Sequence, residues 1–175
     1  MNLDRPMAPD PYALLPVVPT FVLTSNDVTD GQPMDQKFAH KSAGGQNLSP
    51  HLAWAGFPED VAGFAVTCLD PDAPTGSGFW HWQLLNVPAS VTELPTGGPL
   101  PSGSFCTRND FGDPEYGGPA PPAGDRPHRY IFVVHALNTA HLPVTPDTPA
   151  GQVGFHLTFH TIARAIIRPT YQIPA

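Results

Sequence analysis

Two short stretches of this sequence carry acidic or imidazole side chains in patterns that could do chemistry. The first, residues 70–74, reads DPDAP and directly follows an apolar run, and the second contains His128 and Tyr130. Carboxylates beside imidazoles can share protons, orient one another or meet a charged ligand. These stretches are therefore where the chain could bind a polar ligand or perform acid–base chemistry.

Two prolines constrain the shape of the first stretch. Pro71 and Pro74 fix their own φ angles and push Asp70 and Ala73 toward extended backbone. In an extended run Asp70 and Asp72 lie two residues apart, so both carboxylates are predicted to project to the same side. Two carboxylates at such a short distance raise each other's pKa or need partners that stabilise their charge. The alternative is a rigid turn whose aspartates cap backbone amides.

A histidine lies near the start of the next apolar run. His81 stands between Trp80 and Trp82, a few residues after the DPDAP stretch, and is predicted to enter the fold beside the carboxylates. One ring nitrogen could donate to a ligand while a carboxylate fixes the tautomer through the other. The alternative is a hydrogen-bonded histidine of the core.

A loop rich in glycine and proline, residues 117–127, precedes the second stretch. Glycine lets backbone amides approach a ligand closely, and proline limits the entropy lost on binding. Because side chains alternate along a strand, His128 and Tyr130 are predicted to face the pocket, with Arg129 as a structural residue on the other face. Alone, this loop could equally be a polyproline II ligand for another domain.

The elements that must position these residues are predicted to be mainly strands. Turn signals such as Asp30-Gly31 recur about every ten residues, which is typical of an all-β sandwich. Residues that favour strands fill four runs between the turns, at 21–24, 64–69, 82–87 and 130–137. The last two runs are almost continuously apolar, which predicts central strands covered on both faces.

Only the C-terminal region shows a helical period. Its apolar residues recur at i, i+4, i+7, i+8 and i+11, at Phe155, Phe159, Ile162, Ala163 and Ile166. The spacing predicts a helix over residues 154–167, which Pro169 ends because a proline pushes its predecessor out of helical angles.

Length and composition indicate an extended segment, residues 1–20, followed by one domain, residues 21–175. Of the 175 residues 41% are hydrophobic and 13% charged, and the net charge is −7. That charge disfavours nucleic acid and anionic membranes as partners, although a few converging donors could still hold a small anion. The proline-broken opening predicts neither a signal peptide nor a membrane span. Cys68 and Cys106 are predicted to be free thiols, which indicates a cytoplasmic location.

Three spaced motifs resemble the phosphatidylethanolamine-binding (Raf kinase inhibitor-like) family: DPDAP, WHW at 80–82, and HRY at 128–130 behind its Gly/Pro loop. The stretches RNDFG at 108–112 and YGGP at 116–119 look like its bacterial branch. The resemblance implies a mainly β fold in which a central antiparallel sheet packs on a second, smaller sheet, with an anion pocket at one end. By motif position the pocket residues are Asp70, Pro71, Asp72, Ala73, Pro74, His81, Gly118, Pro121, His128 and Tyr130.

The resemblance also implies a binding module rather than an enzyme, with no cofactor and a phosphate- or phosphoethanolamine-like ligand. Some relatives inhibit kinases or peptidases, and bacterial relatives often form dimers. Within such a pocket His81, His128 and Tyr130 are the groups predicted to donate to an anion.

Two other functions stay open on the residues alone. The first is a hydrolase that uses Asp70 or Asp72 with His81 and His128, and the second is a zinc site built from the same four side chains. The sequence has no G-x-S-x-G or H-E-x-x-H motif, and the motif blocks show no serine or cysteine paired with a base. These absences favour binding over hydrolysis.

Overall fold

A five-stranded antiparallel sheet dominates the computed structural model, which describes residues 3–175. The strands are β1 (Val22–Thr24), β2 (Leu52–Ala55), β3 (Gly63–Asp70), β4 (Phe79–Pro88), β5 (Glu93–Leu94), β6 (Phe105–Cys106), β7 (His128–Arg129), β8 (Ile131–Leu137), β9 (Thr161–Ile167) and β10 (Thr170–Tyr171). The helix α1 covers Ala150–His160, and short 3-10 turns cover Pro11–Leu14, Gln36–Phe38 and Lys41–Ala43. The predicted mainly β fold is confirmed. No helix in the range 3–175 has the length and apolar character needed to cross a membrane.

The central sheet has the strand order β6-β4-β3-β8-β9, and a smaller sheet has the order β1-β2-β5. Every residue of β3 and β8 is buried, which explains why their sequences are largely apolar. The runs at 82–87 and 130–137 do form strands with neighbours on both sides, as predicted.

Alternating side chains of β3 divide the core into two layers. Phe64 and Val66 belong to a large apolar cluster that includes Trp54 of the smaller sheet. Ala65 points the other way and packs in a cluster with Val153 and Leu157 of α1. The sheet is therefore covered by the smaller sheet on one face and by the helix on the other.

The predicted helix over residues 154–167 is wrong in its second half. The helix α1 ends at His160, and residues 161–167 form β9 on the edge of the sheet beside β8. Phe155 and Phe159 are 60% and 67% exposed, so the helical stripe does not face the core. In β9 every second residue is buried, a strand period that the β-branched residues there favour. Pro169 lies between β9 and β10 and ends no helix.

Antiparallel pairing brings the two chemical stretches to one end of the central sheet. Asp70 at the end of β3 pairs with Phe79 at the start of β4, and Leu69 pairs with Ile131 at the start of β8. The strand β7, which carries His128, pairs with β10 at the same end.

Two further segments meet the loop ahead of β7. The amide of Gly124 donates to the carbonyl of Ile173, and the Gln172 side chain donates to the carbonyl of Asp125. From the other direction, the Arg126 guanidinium donates to the carbonyl of Arg5. The predicted N-terminal segment thus packs on the domain that follows it.

Candidate functional site

A cavity of about 240 Å³ opens at the end of the sheet where β3 stops and β4 and β8 start. Seven of the ten predicted pocket residues line it: Asp70, Ala73, Pro74, His81, Pro121, His128 and Tyr130. Five lining residues were not predicted: Thr75, Phe79, Phe111, Ala120 and Pro122. The volume is slightly below the usual range for drug-sized ligands, which suits a small head group.

Three predicted pocket residues, Pro71, Asp72 and Gly118, do not line the cavity. The Asp72 carboxylate instead holds Arg129, with 2.7 Å from Oδ2 to Nε and 2.7 Å from Oδ1 to Nη2. Gly118 has a packing role, since a Cβ there would clash with the backbone carbonyl of Phe38. The Arg129 guanidinium is structural, as predicted.

Asp70 is the residue that shapes the DPDAP turn. Its Oδ1 accepts hydrogen bonds from the amides of Asp72 (2.8 Å) and Ala73 (3.0 Å). This is the capping turn that the sequence left open as the alternative. The prediction that Asp70 and Asp72 project to the same side is wrong, because the turn replaces the extended run on which it depended.

His128 is held between two carboxylates. Its Nδ1 lies 2.7 Å from Asp70 Oδ2, and its Nε2 lies 2.9 Å from Asp125 Oδ2. Burial lowers the pKa of His128, but the hydrogen bonds and charges of Asp70 and Asp125 outweigh burial and raise it above its ordinary value. Both ring protons are therefore engaged, contrary to the prediction that His128 donates to a ligand.

Asp125 was not predicted, although it lies three residues before His128 in a loop already assigned to the site. The Arg5 guanidinium binds it with two bonds, 2.7 Å to Oδ2 and 3.1 Å to Oδ1. The hydrogen bond from Arg5 holds the pKa of the Asp125 carboxyl well below its usual range. Asp125 therefore remains an anion beside His128.

His81 is a neutral ring in an aromatic enclosure. Its Nδ1 lies 2.6 Å from the carbonyl oxygen of Gly117, and a carbonyl only accepts, so Nδ1 carries the hydrogen. A backbone carbonyl thus fixes the tautomer, not the predicted carboxylate. Phe79, Phe111 and Tyr130 surround the ring at centroid distances of 5.1, 5.6 and 5.0 Å. Burial lowers the pKa of His81, so Nε2 is an acceptor near neutral pH.

The Tyr130 hydroxyl is buried and has no hydrogen-bond partner among the described residues. Burial, with a smaller effect from the Asp70 charge, raises the pKa of Tyr130, so the hydroxyl keeps its proton. A buried polar group without a partner costs about 1–3 kcal/mol. Within the cavity, Tyr130 is therefore a donor that a ligand or water can satisfy.

The rim of the cavity is aromatic on one side. Phe111 stacks on the ring of His40 at 4.2 Å and meets Phe79 edge-on at 4.7 Å. The RNDFG motif contains Phe111, but its spacing does not predict that Phe111 lies at the rim.

The zinc alternative finds no support in this geometry. Both nitrogens of His128 bind carboxylates, and Asp72 faces Arg129. In the part of the chain that the structure describes, no group of His, Cys, Asp or Glu side chains is arranged to hold a metal ion.

Comparison with known proteins places this chain in a family. The family model for "Phosphatidylethanolamine-binding protein" matches residues 24–172. The chain is 45% identical to the UPF0098 protein YbcL of Escherichia coli K12, over 87% of this chain and 88% of the relative. It is also 45% identical to YbhB of the same organism, over 83% of this chain and 96% of YbhB.

Solved structures agree with the sequence matches. The crystal structure of E. coli YbcL, described as a new member of the mammalian PEBP family, has a TM-score of 0.85 and covers 87% of this chain and 98% of YbcL. A carboxypeptidase Y inhibitor, solved in complex with its cognate proteinase, shares the fold at 19% identity with a TM-score of 0.57, over 89% of this chain and 84% of the inhibitor. From its motifs, its fold and these matches, the chain belongs to the phosphatidylethanolamine-binding protein family, in its bacterial branch.

Proposed function

We propose that the cavity binds small phosphate-bearing ligands, such as phosphoethanolamine, without transforming them. The observation that carries this proposal is the Tyr130 hydroxyl, a protonated donor that is buried at the cavity without a protein partner. An anionic oxygen is the acceptor that would gain most from such a donor, since charge-assisted hydrogen bonds are the stronger kind. The family, which is named for binding phosphatidylethanolamine, supports the same ligand class.

His81 adds a requirement for one proton. Its Nε2 is an acceptor while the ring is neutral, so it can meet a phosphate oxygen only if the ring or the phosphate carries a proton. A phosphate monoester changes protonation near pH 6, so both arrangements are accessible close to neutral pH. The proposed complex therefore holds one shared proton between His81 and the ligand.

The remaining walls suit the other end of a zwitterion. Phe79 and Phe111 line the cavity, and aromatic rings attract ammonium groups. Asp70 Oδ2 keeps a free lone pair beyond its bond to His128. Phosphoethanolamine would place its ammonium against these groups.

Binding is favoured over hydrolysis by the state of the imidazoles. A general base needs a free lone pair within reach of a nucleophile or water. His128 has none, because each nitrogen binds a carboxylate. His81 has one, but the aliphatic hydroxyl in the cavity lining, that of Thr75, donates to the carbonyl of Gly78.

Tyr130→Phe tests the proposal by calorimetric titration with phosphoethanolamine. Loss of a hydrogen bond to a charged partner should weaken binding about ten- to a hundredfold. The free variant should keep the stability of the parent, because no hydrogen bond within the described part of the protein is lost. Lower affinity would thus arise without a loss of stability.

Tyr116→Phe is the matched control. Its buried hydroxyl donates to the carbonyl of Phe38 and does not line the cavity, so this variant should lose stability and keep its affinity. Equal binding by Tyr130→Phe and the parent would reject the proposed site. A kinase or peptidase partner, a homodimer and a cytoplasmic location stay predictions from the sequence.

A further inference from the structure

We infer that Arg5 sets the charge of the cavity floor, meaning His128 with its partners Asp70 and Asp125. Arg5 thereby sets the preference of the cavity for an anion. Arg5 lies outside the matched region 24–172, so the family match does not account for it. The inference rests on the proposed function for the identity of the ligand, but its electrostatic part can be tested without one.

The contact between Arg5 and Asp125 is part of a continuous chain of charged groups. Asp70 binds one side of His128, Asp125 binds the other, and Arg5 binds Asp125. Arg5 Nη2 also lies 3.3 Å from His128 Nε2. Because His128 lines the cavity, this chain connects the N-terminal segment to the binding surface.

The sum of charges in this chain depends on Arg5. Asp70 and Asp125 contribute two negative charges, and the His128 imidazolium contributes one positive charge. With Arg5 the formal charges of these four groups sum to zero, and without Arg5 they sum to one negative charge, which disfavours phosphate. The protein as a whole has a net charge of −7, so the distant field does not attract an anion either.

The other guanidinium groups near this site bind other partners. The Arg129 guanidinium binds Asp72, and the Arg126 side chain donates to the carbonyl of Arg5. Of the residues described, Arg5 is therefore the guanidinium that pairs with Asp125.

The Arg5 guanidinium is also held in place by neutral groups. Its Nη1 donates to the carbonyl of Leu3 (2.8 Å), and its Nη2 donates to the carbonyl of Asp72. These bonds fix the planar group in the bidentate geometry that suits a carboxylate. A lysine at this position would keep the charge but not the two parallel bonds.

The test uses the full chain with Arg5→Gln and Arg5→Lys, and Arg108→Gln as the control. Arg108 is exposed, pairs with exposed Asp147 and does not line the cavity, so its loss changes the net charge equally. Inorganic phosphate and ethanolamine are the two probes, titrated separately by calorimetry. For Arg5→Gln we expect phosphate to bind on the order of tenfold more weakly and ethanolamine to bind more tightly.

Opposite changes for the two probes are the decisive result, because a merely structural loss would weaken both. Arg5→Lys should retain most of the phosphate affinity, and Arg108→Gln should match the parent. If Arg5→Gln weakens the binding of both probes, or of neither, the inference is overturned. Arg5 would then only hold the N-terminal segment on the domain.

A second measurement separates this inference from the proposed function. The pKa of His128 in the ligand-free protein, followed by NMR of its ring carbon, should rise in Arg5→Gln because a neighbouring cation is lost. The charged groups around that ring are Asp70, Asp125 and Arg5, with the Asp72–Arg129 pair beyond them. If the parent binds no phosphate, the proposed function fails, and this pKa alone then decides whether Arg5 sets the charge. An unchanged pKa would refute it.

Discussion

His81 should make anion binding depend on pH. Sulfate is a suitable probe because it stays a dianion across the range from pH 5 to 8, so the proton between ligand and Nε2 must come from the ring. Burial lowers the pKa of His81 in the free protein, and a bound anion raises it again. Sulfate affinity should therefore fall as pH rises, by up to tenfold per pH unit between the free and bound pKa values.

His81→Ala provides the comparison, titrated with sulfate by calorimetry at each pH. The variant should bind more weakly at low pH and should lose most of the pH dependence. A parent affinity that is constant from pH 5 to 8 would contradict the role given to Nε2.

At the scale of single residues, the motifs located the cavity but not its hydrogen bonds. Asp70, His81 and Tyr130 were placed at the site because their types and order resemble a family motif. Arg5 was missed because its partner Asp125 is 120 positions away in the sequence. Partners at such separations follow from the fold, and no local spacing reveals them.

At the scale of elements, an ambiguous period explains the main error in the fold. Ala163 fits both a helical stripe and the alternating burial of β9, whereas Ile166 fits only the stripe, and the aromatic residues Phe155 and Phe159 extended the helical match. Those aromatic residues are exposed, so pairing with the edge of β8 decided the structure of residues 161–167. Long, continuously buried strands such as β8 were predictable because both of their faces are apolar.

The interior position of β8 leads to a prediction of stability. Val133→Asp should prevent soluble folding, because Val133 is 0% exposed and an aspartate there would be a buried, unpaired charge. Val22→Asp is the control, since Val22 lies in β1 and is 58% exposed. Soluble yield and thermal melting compare the two variants. A folded Val133→Asp protein with near-parental melting would show that β8 is not the centre of the core.

At the scale of the whole molecule, another buried histidine should make stability depend on pH. His135 in β8 is buried, with Thr67 and Thr161 beside its ring nitrogens. Burial, with a smaller effect from Arg164, lowers the pKa of His135 to about 3. In the unfolded chain its pKa is about 6.5, so between these values the unfolded state binds more protons.

Stability should therefore fall as pH decreases through this window. Between pH 6.5 and 4.5 the loss attributable to His135 is on the order of 2 kcal/mol. The pKa shift of His81 changes stability with pH in the same direction as that of His135, and the shift of His128 in the opposite direction. The contribution of His135 is therefore isolated by comparing the parent with His135→Gln in urea unfolding at each pH. The variant should show a smaller loss, whereas the exposed control His141→Gln should follow the parent. A parallel loss in His135→Gln and the parent would contradict this assignment.

Hydrogen bonds join the loop ahead of β7 to both the N-terminal segment and the residues around β10. In terms of local unfolding, such peripheral segments open more readily than the central strands. The same loop carries Asp125 and continues into His128, so detachment of either segment would release one wall of the cavity. The core can then remain folded while the cavity opens. The time for which a ligand is retained is therefore limited by the free energy of this local opening and not by the free energy of global unfolding.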